Sequence, residues 1–509
     1  MVDSVTLSST GTAVSSYVPW EQTTRKLPTQ VVVKATGQGA YVRLSNDASA
    51  ATNVDVLVQG GDHVVLSVQG RRWVSVLSDG ASSTVSVGAL STGVSGSAAS
   101  LDLAFAGAAT LDPLVTFTRA STATFFNSAG VLTSAATNAP RFDYNPSTLA
   151  AQGLLIEESR ANSLTYSAQF DNAAWTKVNS SVTADAAVSP NGTSNADKLI
   201  EDSSVSVFHR TTSILVSSTS GTYTASVFLK AAERSFAFLA VTDNITGAME
   251  RRINLATGVV DSTNVSGAGS WTSITASSVN IGNGWWRLTI TGTQGAGTAL
   301  TTIVSIGDAT GARVYTGDGT SGIFVFGAQL EAGAFPTSYI PTTTTALTRA
   351  ADVARVDTLS PWYNATEGVL YTEFQINDYG STGFPVASQL GVIGGAVNRG
   401  QSILIGAGTS TSGFNIYDDT STYQGVPVSG PATKNTTIKA AGAYKTNDSA
   451  VSFNGSSPTT DTTVTLATGI NRLSLGQHVL LGAQLNGYLR RITYYPTRLS
   501  NAQLQAITT

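Results

Sequence analysis

The sequence predicts an all-β protein, built from tandem β-sandwich or jelly-roll domains with one short helix at the C-terminus. The first observation is an alternation of apolar and polar residues with period two, broken by Gly, Asn, Asp and Pro, as in Thr84–Leu90 and Tyr223–Leu229. The second is an abundance of Thr and other residues that favour strands. The third is the near absence of helical apolar stripes. Together they favour short, half-buried strands in packed sheets.

Length and composition set the number of domains and exclude some partners. The 509 residues correspond to about three domains at roughly 150 residues each. Charged residues make up only 12% of the chain and the formal net charge is −4, so no basic excess is present to bind nucleic acid or an anionic membrane surface. No stretch approaches the roughly 18 apolar residues of a membrane span. We expect neither nucleic-acid binding nor membrane insertion, and the N-terminal residues favour synthesis as a soluble cytosolic chain.

Two tracts suggest linkers between domains. Ser91–Ser100 is rich in small residues, and Pro341–Ala346 is a polar run of threonines that follows a proline. Cutting the chain near these tracts predicts three domains, over residues 1–95, 96–355 and 356–509.

One helix is predicted at the end of the chain. Ser500 and Gln503 have the spacing of a capping box, and Leu499 and Leu504 have the spacing of a hydrophobic staple. Leu504 and Ile507 then give the helix one apolar side. We expect it to close the last sandwich and to have no chemical role.

The residues that usually perform catalysis are scarce. The chain has no cysteine, which excludes disulfides, thiolate nucleophiles and the usual cysteine-ligated metal sites. His63, His209 and His478 are far apart and lack partners at metal-binding spacing. Gly317–Gly322 matches GxGxxG, but a strand-like run follows it, so a turn is expected. We therefore expect no catalytic residues, no metal site and no cofactor.

The carboxylates leave alternatives open. Neighbouring acids such as Glu157 and Glu158 point to opposite faces of a strand, so they are not by themselves the matched pair of a glycosidase. A depolymerase whose carboxylates are brought together by the fold remains an alternative. Asp308 and Asp318 lie in glycine-rich loops, where they either form turns through their own side chains or contribute to a calcium site, and we favour turns.

Charge is concentrated in residues 117–162 of this weakly charged chain, in the motifs Phe117–Thr124, Arg141–Pro146 and Gly153–Asn162. Three further motifs follow later in the chain, namely Gly327–Gly333, Pro336–Pro341 and Thr348–Asp352. We expect a scaffold of charge-assisted hydrogen bonds that fixes one sheet edge against another, formed by Arg119, Arg141, Arg160, Asp143, Glu157 and Glu158.

Taken in order, these motifs resemble a module of tail fibres and other virion proteins of tailed bacteriophages, over roughly residues 101–355. The resemblance implies a viral structural protein, located in the virion after synthesis in the host cytoplasm.

The same region resembles a jelly-roll carbohydrate-binding module through Asn162–Tyr166, Phe170, Trp175 and Gly284–Arg287. If Trp286, Leu288 and Ile290 face the core, the period of two places Trp285 and Arg287 outside together. In such modules sugars stack on exposed rings, so the resemblance implies that Trp285 and Arg287 bind carbohydrate. The alternative is that both tryptophans are buried in the core or in a subunit interface.

Residues 356–509 resemble a concanavalin-like lectin sandwich through Glu367–Phe374 and Leu485–Pro496. The resemblance implies that carbohydrate contacts lie in loops, with the candidates Asn398, Arg399, Tyr417, Asp418 and Tyr423. The alternative is that these are ordinary exposed loop residues.

Residues 1–95 resemble a small β-sandwich of phage head or tail attachment modules through Gly39–Leu44, Val56–Asp62 and Val68–Val76. The resemblance implies an anchor to other virion proteins, on either the capsid or the tail.

Combined, these resemblances imply a tail fibre or receptor-binding protein that attaches to host cell-surface glycans, as a homotrimer by analogy with fibres. The alternatives are a capsid decoration protein or head fibre, and a surface polysaccharide depolymerase. A neutral, hydroxyl-rich surface suits repeated weak contacts, to which multivalent display adds avidity.

Overall fold

The computed structural model describes residues 99–509 apart from 246, 264–266, 296–298, 381–383, 394–398, 406–411, 425, 429–432 and 479–482. Within residues 1–98, and for residues 426–428, it describes strand backbone only. The N-terminal strands are β1 (Ser4–Ser9), β2 (Val14–Tyr17), β3 (Gln30–Gly37), β4 (Ala40–Ser45), β5 (Val56–Val58), β6 (His63–Ser67), β7 (Trp73–Ser78) and β8 (Ser83–Leu90). They form two four-stranded antiparallel sheets, in the orders β1-β8-β3-β6 and β2-β7-β4-β5.

The strands of the next segment are β9 (Leu101–Ala104), β10 (Thr116–Thr118), β11 (Ala123–Phe126), β12 (Leu132–Ala135), β13 (Phe142–Tyr144), β14 (Ala151–Ile156) and β15 (Arg160–Asn162). They are followed by β16 (Trp175–Val178), β17 (Ser180–Val188), β18 (Ser194–Glu201), β19 (Val207–Phe208), β20 (Arg210–Ser213), β21 (Val216–Ser217), β22 (Gly221–Ala231), β23 (Phe236–Thr242), β24 (Ala248–Asn254), β25 (Val260–Asp261), β26 (Trp271–Gly282), β27 (Trp285–Gln294), β28 (Ala299–Gly307), β29 (Val314–Tyr315) and β30 (Gly322–Ala332).

The last segment contains β31 (Leu347–Arg349), β32 (Val353–Val356), β33 (Glu367–Ile376), β34 (Val386–Gly391), β35 (Gly400–Leu404), β36 (Ser412–Tyr417), β37 (Val426–Val428), β38 (Thr437–Lys445), β39 (Ser449–Phe453), β40 (Thr459–Asp461), β41 (Arg472–Leu475), β42 (Gly487–Tyr495) and α1 (Asn501–Thr508). The protein is therefore all-β with one short C-terminal helix, as the period-two pattern predicts. No helix of the described residues has the length and apolar character needed to span a bilayer.

Strands β16 to β30 form a sandwich that we call the inserted sandwich. One sheet has the order β17-β18-β30-β22-β27-β26, and the other has β16-β20-β28-β23-β24-β25, with β21 also paired to β28. The core between them includes Ala225, Val227, Leu288 and Ile290, all fully buried. These residues alternate along β22 and β27, which confirms the core face that the period of two predicts.

A second, discontinuous sandwich, which we call the C-terminal sandwich, is built from residues 101–156 together with residues 353–509. Its sheets have the orders β10-β32-β41-β34-β35-β36-β37 and β13-β14-β42-β33-β38-β39-β40, and β9 also pairs with β42. The sequence assigned residues 101–156 to the same domain as the inserted sandwich. Strand pairing instead groups them with the last third of the chain, so the cut at residue 355 does not separate the two sets of sheets.

The chain passes between the two sandwiches through a ribbon in which β15 pairs antiparallel with β31. At its base lies a buried charge network. Asp352 accepts hydrogen bonds from Arg119 Nη1 at 3.1 Å, from Arg141 and from the Glu157 amide at 2.9 Å. Arg141 Nη1 lies 2.8 Å from Glu157 Oε2, and Arg349 Nη1 lies 3.5 Å from the same oxygen. The network joins the start and the end of the insertion. Arg119, Arg141 and Glu157 of the predicted scaffold belong to it, and Arg160 pairs with Glu158. The prediction omitted the central acid, Asp352, and wrongly included Asp143, which forms no ion pair with the described residues.

The C-terminal helix has the predicted cap. Ser500 Oγ accepts from the Gln503 amide, and Gln503 Oε1 accepts from the Ser500 amide at 2.7 Å. Leu499 and Leu504 are buried in one apolar cluster against the outer face of β33 and β38, with Ile507 packed beside them. The capping box and the staple thus define this helix.

Candidate functional site

A cleft of about 750 Å³ lies between the inserted sandwich and the C-terminal sandwich. One wall is the outer face of β26 and β27, and the segment 334–339 runs beside it. The opposite wall comes from the ends of β14, β33 and β42 and the turn before β38. Its volume lies within the roughly 300–1,000 Å³ range of ligand sites.

The wall on the inserted sandwich is a ladder of hydroxyl groups. The register of β26 and β27 places Thr275 opposite Thr291 and Ser277 opposite Thr289, on the face away from the core. Thr275 and Ser277 are exposed to the cleft. Among the described residues, the hydroxyls of Thr275, Ser277 and Thr289 have no hydrogen-bond partner. They are therefore available to a ligand rich in hydroxyl groups.

Sequence reasoning did not single out this ladder. The signal was present, because a strand with apolar residues at even positions displays its odd positions on the other face. The pattern does not show that this face borders a cleft. The cleft exists only because the C-terminal sandwich lies opposite this face.

Arg287 continues the same face, opposite Val279. Its Nη2 donates to Ser226 Oγ at 2.9 Å and to the Thr337 carbonyl at 2.8 Å, and its guanidinium lies 5.4 Å from the centre of the Phe228 ring. Burial lowers the pKa of Arg287, but no carboxylate of the described residues lies within 4 Å of it. The structure thus places this predicted residue in the wall of the cleft, without an ion-pair partner among the described residues.

The opposite wall contains a buried carboxyl group. Asp143 accepts from the Phe126 amide at 2.6 Å and from Tyr488 Oη at 2.8 Å. Unlike the other acids of the predicted network, it has no ion-pair partner among the described residues. Burial raises the pKa of Asp143 to about 6, so this carboxyl group gains a proton close to neutral pH.

The free energy of unfolding should depend on pH because of the raised pKa of Asp143. Its ordinary pKa is 3.8, so between about pH 4 and pH 6 the folded chain holds a proton that the unfolded chain has lost. The free energy of unfolding therefore falls as the pH rises through this window, by roughly 3 kcal/mol at about 1.4 kcal/mol per pKa unit. Asp143→Asn removes this dependence, so the stability of the variant minus that of the wild type should increase from pH 4 to pH 7. Urea denaturation at both pH values measures it, and a pH-independent difference would contradict the assignment.

The mouth of the cleft is polar. Asp378 forms an ion pair with Lys434, and Lys434 Nζ lies 4.8 Å from the centre of the Tyr379 ring. Asn377 and Asn435 line the same mouth. Charged and amide side chains thus line the mouth of the cleft.

Trp285 is not available for stacking. Only 2% of its surface is exposed, and its Nε1 donates to the Val188 carbonyl at 3.1 Å. It lies on the predicted outer face, but Leu132 of β12 and Ile281 pack in the same cluster with it. The expectation of an exposed ring is therefore corrected, because the hairpin β11–β12 and the end of β17 cover this end of the face.

Trp286 is half-buried against the core of the inserted sandwich, as predicted for its face. Its Nε1 donates to the Leu255 carbonyl at 3.0 Å. Gly258 has a φ of +76°, and a Cβ at this position would come within 2.2 Å of the Trp286 ring. Glycine is thus required where this tryptophan covers the turn.

The predicted residues of the C-terminal sandwich come together at one end of β35 and β36, in a group that we call the tyrosine rim. The rings of Tyr417 and Tyr423 lie 5.5 Å apart at 54°, and Tyr423 is 53% exposed. Arg399 Nη1 lies 3.5 Å from Asp419 Oδ1. Gly400 pairs with Tyr417, so the backbone of Arg399 lies one residue beyond this pair. Asn398 lies outside the described residues.

Asp418 has a structural role in the tyrosine rim. Its Oδ1 accepts from the Thr420 amide at 2.8 Å, from Thr420 Oγ1 at 2.7 Å and from the Thr422 amide at 2.9 Å, and its Oδ2 accepts from Gln424. The hydrogen bond from the Thr420 side chain is the largest cause that lowers the pKa of Asp418. The carboxylate shapes the turn that presents Tyr423.

The remaining candidates are structural in the same way. Asp308 accepts from the amides of Thr310 and Ala312, and Asp318 accepts from the amides of Thr320 and Ser321, so both form the predicted turns. His209 is buried beside Tyr315. The described residues contain no cluster of three or more metal-ligating side chains.

No protein-family model matches the sequence, and no curated protein matches it. Among solved structures, the chain is similar to the CBM40 module of Ruminococcus gnavus IT-sialidase bound to α2,3 sialyllactose, at 14% identity over 29% of this chain and 84% of that one, with a TM-score of 0.26. It is also similar to the tandem CBM22 modules of Paenibacillus barcinonensis Xyn10C, at 10% identity over 68% and 99%, TM-score 0.21. Domains LG4-5 of mouse laminin α1 match at 9% identity over 54% and 81%, TM-score 0.19. At these TM-scores none of the three identifies the function of this chain.

Proposed function

We propose that the protein binds glycans, and that the cleft between the two sandwiches is the principal site. The observation that carries this proposal is the row of unpaired hydroxyls of Thr275, Ser277 and Thr289 beside the guanidinium of Arg287. Sugars offer many hydroxyl groups and weakly polar C–H faces. A wall of hydroxyl and guanidinium donors, faced by Tyr488 and amide side chains, is complementary to both.

The tyrosine rim is proposed as a secondary contact. The exposed ring of Tyr423 offers an apolar face, and Arg399 offers hydrogen-bond donors nearby. Two weak sites on one chain, repeated in an oligomer, would raise the avidity for a polymeric ligand.

The biological setting is proposed from the sequence motifs. Because the motifs of residues 117–162 and 327–352 resemble those of bacteriophage virion proteins, we propose that the protein belongs to a virion, as a homotrimeric tail fibre or receptor-binding protein. The N-terminal sheets would attach it to other virion proteins, and the two sandwiches would face host cell-surface glycans. Immunolabelling of intact particles tests the setting: label on the tail supports a fibre, label over the capsid supports a decoration protein, and unlabelled particles contradict a virion role.

Removing hydroxyls from the cleft should weaken glycan binding. In Thr275→Val with Ser277→Ala, two exposed hydroxyls are lost with little change in shape. At about 0.5–1.5 kcal/mol for each hydrogen bond, the Kd for a bound oligosaccharide should rise roughly 5- to 150-fold. Calorimetric titration against an oligosaccharide selected from a glycan array measures the change.

The matched control lies on the other edge strand of the same sheet. Thr183 and Ser181 are exposed on β17 and lie outside the cleft, so Thr183→Val with Ser181→Ala makes the same chemical change there. This control should bind as the wild type does. Equal binding by all three proteins would exclude the cleft, and the absence of binding to any arrayed glycan would contradict the proposed function.

A further inference from the structure

Arg287 differs from the arginines of the buried network. Arg141 and Arg119 each have a carboxylate partner, whereas Arg287 has none among the described residues. Its Nη2 is committed to Ser226 and Thr337. Its Nη1 has no hydrogen-bond partner among the described residues, and its buried Nε also has none. The guanidinium is thus held in a fixed orientation with donors left over.

The acidic groups around Arg287 are already satisfied by other donors. Glu331 accepts from the Thr337 amide at 3.1 Å and from the Thr337 hydroxyl at 2.5 Å, and burial raises its pKa. Glu157 is held by Arg141 and by Ser338. Asp143 is held by Tyr488 and a backbone amide. None of these carboxyl groups is placed to neutralise Arg287 by direct contact.

We propose that Arg287 binds the carboxylate of an acidic sugar, so that the cleft selects acidic polysaccharides over neutral ones. This inference rests on the proposed glycan function and specifies its ligand class. One carboxylate oxygen would accept from Nη1, and the hydroxyl of Thr289, two residues along the same strand face, would donate to the other or to a ring substituent.

The physical case depends on preorganisation and desolvation. Ser226 and Thr337 hold the guanidinium before the ligand arrives, so little side-chain entropy is lost on binding. Burial at the cleft wall disfavours the bare cation, as the lowered pKa of Arg287 indicates. An anion that replaces water there offsets the desolvation penalty of the buried guanidinium, whereas a neutral hydroxyl offsets only part of this penalty.

The test compares each acidic polysaccharide with its own carboxyl-reduced form, in which every carboxylate has become a primary alcohol. The probes are oligosaccharides of hyaluronan, alginate, polygalacturonate and polysialate, with neutral dextran and xylan oligosaccharides beside them. Wild-type protein should bind at least one acidic probe and bind its reduced form roughly 10- to 150-fold more weakly. This comparison requires no variant and therefore no assumption about folding.

Variants then assign the effect to one side chain. Arg287→Gln should lose the preference for the native probe over the reduced one, and Arg287→Lys should keep part of it. Arg251→Gln is the matched control, because Arg251 likewise has no carboxylate partner among the described residues. It donates to the carbonyls of Glu250 and Ile274 and lies outside the cleft. It should retain the full preference.

The outcomes separate the two proposals. Equal binding to native and reduced probes, or binding to the neutral probes alone, would overturn the acidic selectivity and leave glycan binding in place. A preference that persists in a folded Arg287→Gln protein would overturn the role of Arg287. Binding to no glycan of either class would contradict the proposed function itself, and the inference with it.

Discussion

Asp352→Ala is expected to lower the free energy of unfolding by about 3–5 kcal/mol, because it leaves buried guanidinium groups without their counter-charge. Asp352 is fully buried and is bonded to Arg119, to Arg141 and to the amide of Glu157. The two arginines are also buried, so water cannot replace the carboxylate without opening the base of the ribbon. Urea denaturation monitored by tryptophan fluorescence measures the loss.

The control for this prediction is an exposed carboxylate that also bonds to two arginines. Asp357 lies 2.9 Å from Arg355 Nε and 2.6 Å from Arg472 Nε, and its side chain is 44% exposed. Because water solvates the groups left behind, Asp357→Ala should cost less than about 1 kcal/mol. If Asp352→Ala were no more costly than Asp357→Ala, the network would not hold the sandwiches in the way argued above.

Local patterns were sufficient for the parts of the fold that depend on neighbouring residues. The period of two identified the core face of β22 and β27, and the capping box at Ser500 identified the only helix of the described residues. The concentration of charge identified Arg141 and Glu157 as partners. The first two signals depend on residues close together in the sequence. The third depends on the free-energy cost of burying a charged side chain without a partner.

What the sequence could not supply is the pairing of segments that are distant along the chain. Nothing in the composition of β14 indicates that it pairs with β42, more than 300 residues later. The same limit explains Trp285: alternation selected its face correctly, but the residues that cover that face come from β12 and from the end of β17. The cleft was missed for the same reason, since its two walls belong to different sandwiches.

A chain that begins at residue 356 is expected not to fold cooperatively, although the sequence resemblance marks 356–509 as a domain. It lacks β9 and β14, which pair with β42, and β13, which pairs with β14. It also lacks β10 together with nearly all of β32, the strand that joins β10 to β41. It also lacks part of the buried core of the C-terminal sandwich, namely Leu101, Leu103, Phe105, Val115, Phe117, Phe142, Leu154 and Ile156. At about 1.5–3 kcal/mol for each buried apolar side chain, this loss is roughly 12–24 kcal/mol.

Domains are usually stable by only about 5–15 kcal/mol, so a loss of this size exceeds what the remaining strands can supply. The matched comparison is the chain 99–509, which keeps both parts of the C-terminal sandwich and the insertion between them. It should show a cooperative thermal transition by circular dichroism and dispersed amide resonances, whereas 356–509 should show neither. A cooperative transition in 356–509 would mean that the C-terminal sandwich is stable without residues 101–156. The inserted sandwich would then be a separate domain that precedes it in the chain.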